Sequence, residues 1–347
     1  MRHVLLAASC VLAATPIAAQ QVERFTIDGA SVAVYNPVGS LRLVAGSGST
    51  VVAEVTRGGP DASRLRVETG PVRGRQTLRL IYPGSRILAR ELGRGSTTQT
   101  RIDDDGTFGD DSRGGDGRRV TIAGSGDGIE ARADVTLRVP SGRKVAVHLL
   151  VGEATVTNVD GDILLDVAAA RVTTSATRGR LVLDTGSGDV SVTDAQGELS
   201  LDTGSGDVRV NRVRGRGLTV DAGSGQLVGG DIAVERLDLD LGSGGARLTG
   251  VRADEISLDS GSGDVDLALT GDVRTLDVES GSGSVTLRVP ATLGATVEVD
   301  AGSGGVESDL PMTVTRRSRS ELTGQIGDGK GRIRIEAGSG TVSLRKT

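Results

Sequence analysis

The chain has 347 residues, a formal net charge of −5 and an aromatic content of 1%, with no tryptophan. A mildly acidic balance argues against nucleic acid or an anionic membrane surface as a partner. A single cysteine, Cys10, excludes an internal disulfide framework, and so few rings leave Val, Leu, Ile and Ala to build the core.

Met1-Arg2-His3 precedes an apolar run from Val4 to Ala14 and a small-residue zone at Ala18-Ala19. That order is predicted to be a secretory signal peptide over residues 1–19. The run is too short to span a bilayer, no later stretch is apolar enough to do so, and Ala7-Ala8-Ser9 before Cys10 is a poor lipidation motif. Loss of the leader would remove the cysteine and Arg2, shifting the charge to −6. The expected location is therefore exported: periplasm, cell surface or extracellular.

Residues 20–89 carry short alternating runs such as Val32-Ala33-Val34 and Leu41-Arg42-Leu43, and are predicted to start or cap a β-structure. Residues 90–125 change character: RIDDDGTFGDDSRGGDGRR offers little to bury, and a flexible insertion is expected. Asp103-Asp104-Asp105 and Asp110-Asp111 could hold a cation there, although a solvated charge run is the simpler account.

Residues 126–347 are dominated by a repeat. Gly-Ser-Gly triplets begin at Gly186, Gly204, Gly223, Gly242, Gly261, Gly281 and Gly302, and again at Gly338. The first seven recur at intervals of 18 to 21 residues, the signature of a solenoid. On either side of each triplet, runs such as Ile256-Ser257-Leu258-Asp259 and Val265-Asp266-Leu267 alternate apolar and polar with period two. Two short strands and two turns fill each lap, so the predicted fold is an all-β, single-stranded parallel β-helix of about 18–21 residues per coil. Leu183, Leu201, Val220, Leu239, Leu258, Val278 and Val299 form its predicted inward column. The triplets are read as turns that need glycine for positive φ, with their serines stacked from lap to lap. An excursion at 309–331 is expected to project before a final lap, Ile333–Leu344. VTLRVP occurs twice, at Val135–Pro140 and Val285–Pro290, each time with proline ending a strand.

Two residues before the triplets stand Asp184, Asp202, Asp221, Asp240, Asp259, Glu279 and Asp300, and at the last triplet Glu336. Alternation points them outward, about 4.8 Å apart. Each could accept hydrogen bonds from the following turn. Alternatively, the column could bind cations, either Ca²⁺ between adjacent carboxylates or a basic peptide. His148 lacks a recognisable partner and is read as structural or solvated, and no zinc, P-loop or Ser/His/Asp constellation is visible.

ADVTLRVPSGRKVAVHLLVGEATVTNVDGDI, the LDTGSGDVSV laps, and the tail VEVDAGSGGVESDLP with GRIRIEAGSGTVSLRK resemble the DUF4097 family of proposed adhesins over about residues 30–347, with residues 90–119 as a departure. The resemblance implies a right-handed β-solenoid with adhesive or envelope-stress associations, and it brings no catalytic residues. The expected function is an exported, non-enzymatic, adhesin-like scaffold with no cofactor beyond an optional Ca²⁺ and with an envelope or surface ligand as partner. Two alternatives stay open. One is a Ca²⁺-dependent polysaccharide-active enzyme using Arg209, Arg247 or Arg288 beside the column; the other is an envelope-stress protein that binds cationic peptides.

Overall fold

The computed structural model describes residues 21–109 and 117–347. The predicted leader and Asp110-Asp111 lie outside the described residues. The rest is almost wholly β, and most strands join one continuous sheet that winds into a solenoid.

Alternation sets the winding. In the strand Val208–Ala222, Val208, Val210, Val213, Leu218, Val220 and Ala222 are buried, while Arg209, Asn211, Thr219 and Asp221 face solvent. Each coil stacks in parallel on the next. Arg143 lies opposite Gly161, Val208 opposite Leu227 and Glu255 opposite Thr275, so the coil lengthens from 18 to 19 to 20 residues along the stack. Inside, Leu183, Leu201, Val220, Leu239, Leu258 and Val278 follow one another as one buried file. Each such side chain removed from water contributes about 1.5–3 kcal/mol. A file of aliphatic residues fills this narrow interior, which is why the sequence can dispense with rings.

Glycine serves the triplet turns differently from expectation. Positive φ occurs at Gly188 (123°), Gly206 (124°) and Gly302 (52°), but not at most triplet glycines. Their common requirement is closeness. A Cβ on Gly186 or Gly204 would lie 2.7 Å from the carbonyl oxygen of the coil beneath, and one on Gly244 would collide with the Gly225 carbonyl. The serines do not bond to each other where their hydroxyls engage. Ser187 Oγ donates to the Ala168 carbonyl and Ser303 Oγ to the Gly338 carbonyl. Positive φ is instead concentrated at the opposite turn, in a file of left-handed residues: Asn158, Ala176, Asp194, Arg212, Asp231 and Gly250.

The ends depart from simple succession. After the first VTLRVP, the strand Arg132–Val139 is followed in sequence by Arg143–Thr157, yet Ser31–Ala45 lies between them, parallel to both. After the second, Thr275–Ser280 and Ala295–Asp300 are separated by Gly331–Ala337. Likewise Val342–Lys346 lies between Val285–Val289 and Val306–Ser308. Each VTLRVP is thus followed by a step of two coil spacings, and a distant segment fills the gap. The inward file consequently runs Val278, Ile335, Val299, and not directly from Val278 to Val299. Periodicity could not reveal this, because the inserted coil carries the same pattern as its neighbours.

Beyond these coils antiparallel strands close both ends. Val22–Ile27 and Val51–Gly58 cover Arg132–Val139 at one end. At the other, Glu321–Ile326 pairs with Ala295–Asp300, and Thr313–Arg317 pairs with Glu321–Ile326. The excursion is therefore a docked hairpin. The stretch expected to be flexible also has structure in its described residues. Thr97–Ile102 and Arg118–Ala123 pair antiparallel, and Arg86–Leu88 joins them. Ile102, Phe108, Val120 and Ile122 are buried there, apolar groups that the average composition of the segment conceals.

Candidate functional site: an acidic row ending in a buried histidine

Backbone register assembles one outward row from eleven separate strands. From one end it reads Tyr35, His148, Asp166, Asp184, Asp202, Asp221, Asp240, Asp259, Glu279, Glu336, Asp300. Sequence reasoning found the acids that precede triplets, and the structure aligns them. It missed Asp166, because Ala168-Ala169-Ala170 stands where a triplet would be, and it did not place His148, which is followed by Leu149-Leu150-Val151-Gly152, in the row. Counting back 18 residues from Asp184, and then 18 more, would have found both. Glu336 stands between Glu279 and Asp300, a position decided by the inserted coil.

The two ends of the row have partners. His148 is 2% exposed, its Nδ1 is 2.8 Å from Asp166 Oδ2, and its ring stacks on Tyr35 with centroids 4.6 Å apart. Phe108 meets both rings edge-on. The histidine is thus buried and not solvated, and has a carboxylate partner that the sequence reading did not identify. At the far end Arg334 pairs with Glu336, and Asp300 accepts a 2.9 Å hydrogen bond from Gly302 N–H. That is the anticipated turn bond. Among the described residues, Asp202, Asp221, Asp240, Asp259 and Glu279 have no cationic partner and accept no such bond. Partial desolvation by the neighbouring coils pushes the solvent-facing Asp221 carboxyl above the usual carboxylate range, and the flanking Asp202 and Asp240 charges add to the shift.

A second row on the same face makes the contrast. Four residues earlier along each strand, about 13 Å away, stand Lys144, Asp162, Arg180, Glu198, Gly217, Arg236 and Glu255 in register. Their charges alternate in sign, with ion pairs at Lys144–Asp162 (3.4 Å), Arg180–Glu198 (3.9 Å) and Arg236–Glu255 (2.6 Å). This sheet therefore pairs opposite charges across coils in one row and aligns like charges in the other. Like charges at 4.8 Å repel by about 0.9 kcal/mol at the dielectric constant of water. A groove of about 490 Å³ runs beside the far part of the acidic row, between Asp259, Glu279, Glu336 and Asp300.

As a metal centre the row is a line and not a cage: among the described residues, no three His, Cys, Asp or Glu side chains group where they could hold a metal ion. The arginines considered as its catalytic partners lie across the turn on the other strand of the coil. Arg209 pairs with Asp207 at 3.2 Å, while Arg247 and Arg288 both engage Asp266. In the second acidic segment, Asp103 pairs with Arg73, and Asp105 accepts bonds from Thr107 that hold its carboxyl below the usual range despite burial. No helix among the described residues is long and apolar enough to cross a membrane.

Stacked parallel coils around an aliphatic file, with polar rows outside, define a β-solenoid repeat protein. Residues 121–345, more than half of the chain, match the family described as Toastrack DUF4097, and the chain belongs to that family. No curated protein matches the sequence. A proposed cell adhesion protein of known structure from Clostridium sporogenes is 11% identical, with 95% of this chain and 100% of that chain covered. Its TM-score of 0.22 marks a superposition too loose to inform function.

Proposed function

We propose that the chain is an exported, non-enzymatic β-solenoid scaffold of the cell envelope, adhesin-like in that it binds a partner along one face. The observation that supports this reading is the unpaired run Asp202–Asp221–Asp240–Asp259–Glu279 beside a charge-paired row on the same sheet. A sheet that pairs its charges in one row and repeats a single sign in the next carries a field suited to an extended cationic partner, such as a basic peptide segment. The partner's charges would relieve the repulsion that the row sustains alone.

The test is titration of the full chain with an oligolysine peptide at low and at high salt. Binding is expected to weaken steeply with salt, and the triple variant Asp202→Asn, Asp221→Asn, Asp240→Asn is expected to lose at least about tenfold in affinity. Equal affinity of the triple variant and the parent would remove the row from the function.

A further inference from the structure

The chain's last coil, residues 331–346, is held in a slot between two coils that are consecutive in sequence. One wall of the slot is Thr275–Ser280 with Val285–Val289, and the other is Ala295–Asp300 with Val306–Ser308. The occupant adds Ile333 and Ile335 to the core and sets its Gly338-Ser339-Gly340 turn against Gly281–Gly283 on one side and Gly302–Gly304 on the other. Its fit depends on features that every coil of this chain shares: parallel backbone pairing, an aliphatic file and a small-residue corner.

The two walls also match each other. With the slot closed, Val297 would stack on Leu276 and Val299 on Val278, and the glycine corners at 281–283 and 302–304 would align. Pro290–Gly294, which joins the walls, can span about 16 Å when extended. That covers a step of either one coil spacing or two, about 4.8 or 9.6 Å. The body therefore has a complete core with the last coil in place or withdrawn. The coil is tethered to the body through Gly327-Asp328-Gly329-Lys330, a tight turn with φ of 54° at Gly327 and 69° at Gly329. A coil on a short hinge, docked by contacts that another copy reproduces identically, is the arrangement that permits exchange between chains.

We propose that this slot is a coil-binding site whose second natural occupant is residues 331–346 of another copy of the chain, so that two molecules link by reciprocal exchange of their last coils. The reading does not depend on the acidic row. Thr286 and Ser343 are register partners across the slot wall and are only partly buried, which makes them suitable reporters.

In a full chain carrying Cys10→Ser, the double variant Thr286→Cys, Ser343→Cys should close a disulfide within one molecule, because neighbouring strands place their Cα atoms within disulfide range. The two single variants, mixed and refolded together, should form a disulfide-linked heterodimer of twice the monomer mass, several-fold above the homodimers of either variant alone. Deletion of Asp328-Gly329 shortens the hinge and should raise the dimer fraction of the otherwise unaltered chain several-fold. The proposal is overturned if the double variant closes within the molecule while the mixed singles remain monomeric and the shortened hinge leaves the dimer fraction unchanged. It is equally overturned if the double variant fails to close, since the coil would then not occupy the slot.

Discussion

At the scale of single residues the solenoid is governed by what each turn position tolerates. Ala176 has φ of 53°, a left-handed conformation in which its Cβ is strained. Ala176→Gly is expected to stabilise the fold by about 0.5–1 kcal/mol, read from the urea midpoint, because glycine removes that strain at little cost. The reverse change at a corner behaves oppositely. Gly244→Ala drives a methyl into the Gly225 carbonyl and should cost about 2 kcal/mol or more in the same assay. Asp221 has a folded-state carboxyl that holds its proton more tightly than in the unfolded chain. The folded state therefore binds more protons, and the group subtracts stability as pH rises above its unfolded pKa, about 3.9. Asp221→Asn should stabilise the chain by a few tenths of a kcal/mol at neutral pH, a solvent-discounted figure for an exposed group. Thermal melts below about pH 3.5 should show that advantage vanish. His148→Ala would remove a buried ring stacked on Tyr35 and leave Asp166 without its imidazole, at a cost of about 3 kcal/mol.

At the scale of the element, the coil is the unit of both structure and tolerance. Each coil contacts chiefly its two neighbours, so stability is close to a sum of coil and interface contributions. Residues 227–245 make one complete coil, since Leu227 lies opposite Ala246 and their neighbours follow in register. Deleting those residues should leave a cooperative, folded chain with a modestly lower melting temperature. Deleting Leu227–Glu235 alone should abolish cooperative unfolding, because an odd shift sends the inward file to solvent. The coil was legible in the sequence because period-two alternation and the glycine corners state it directly. The closing hairpin at Thr313–Ile326 was less so: Thr313–Arg317 is exposed along its whole length and has no alternation to read.

At the scale of the whole molecule the row becomes a field. Its carboxylates lie in a line, so divalent ions should act as counterions and not as ligands held in a cage. Thermal unfolding of the chain is expected to shift by similar amounts in millimolar Ca²⁺ and Mg²⁺ relative to chelator. A rise specific to Ca²⁺ would establish a coordinating site and reverse that reading. The row also shows how far site recognition from the sequence could reach. Asp184 to Glu279 are marked by their triplets. Asp166 escaped because alanines replace its triplet, and the place of Glu336 depends on a coil inserted from elsewhere in the chain.

By itself the sequence determined the coil, its length of about 18–21 residues and the faces on which Leu183 and Asp184 lie, because these follow from local alternation and steric limits at glycine corners. It did not determine which coils are neighbours at the ends. Ser31–Ala45 and Gly331–Ala337 enter slots far from their sequence neighbours, and one alternating strand fits another whether or not the two are adjacent in the chain. Stacking energy is nearly the same for many pairings. Loop reach and the closure of both ends by antiparallel strands select among them, and only the folded molecule holds that information.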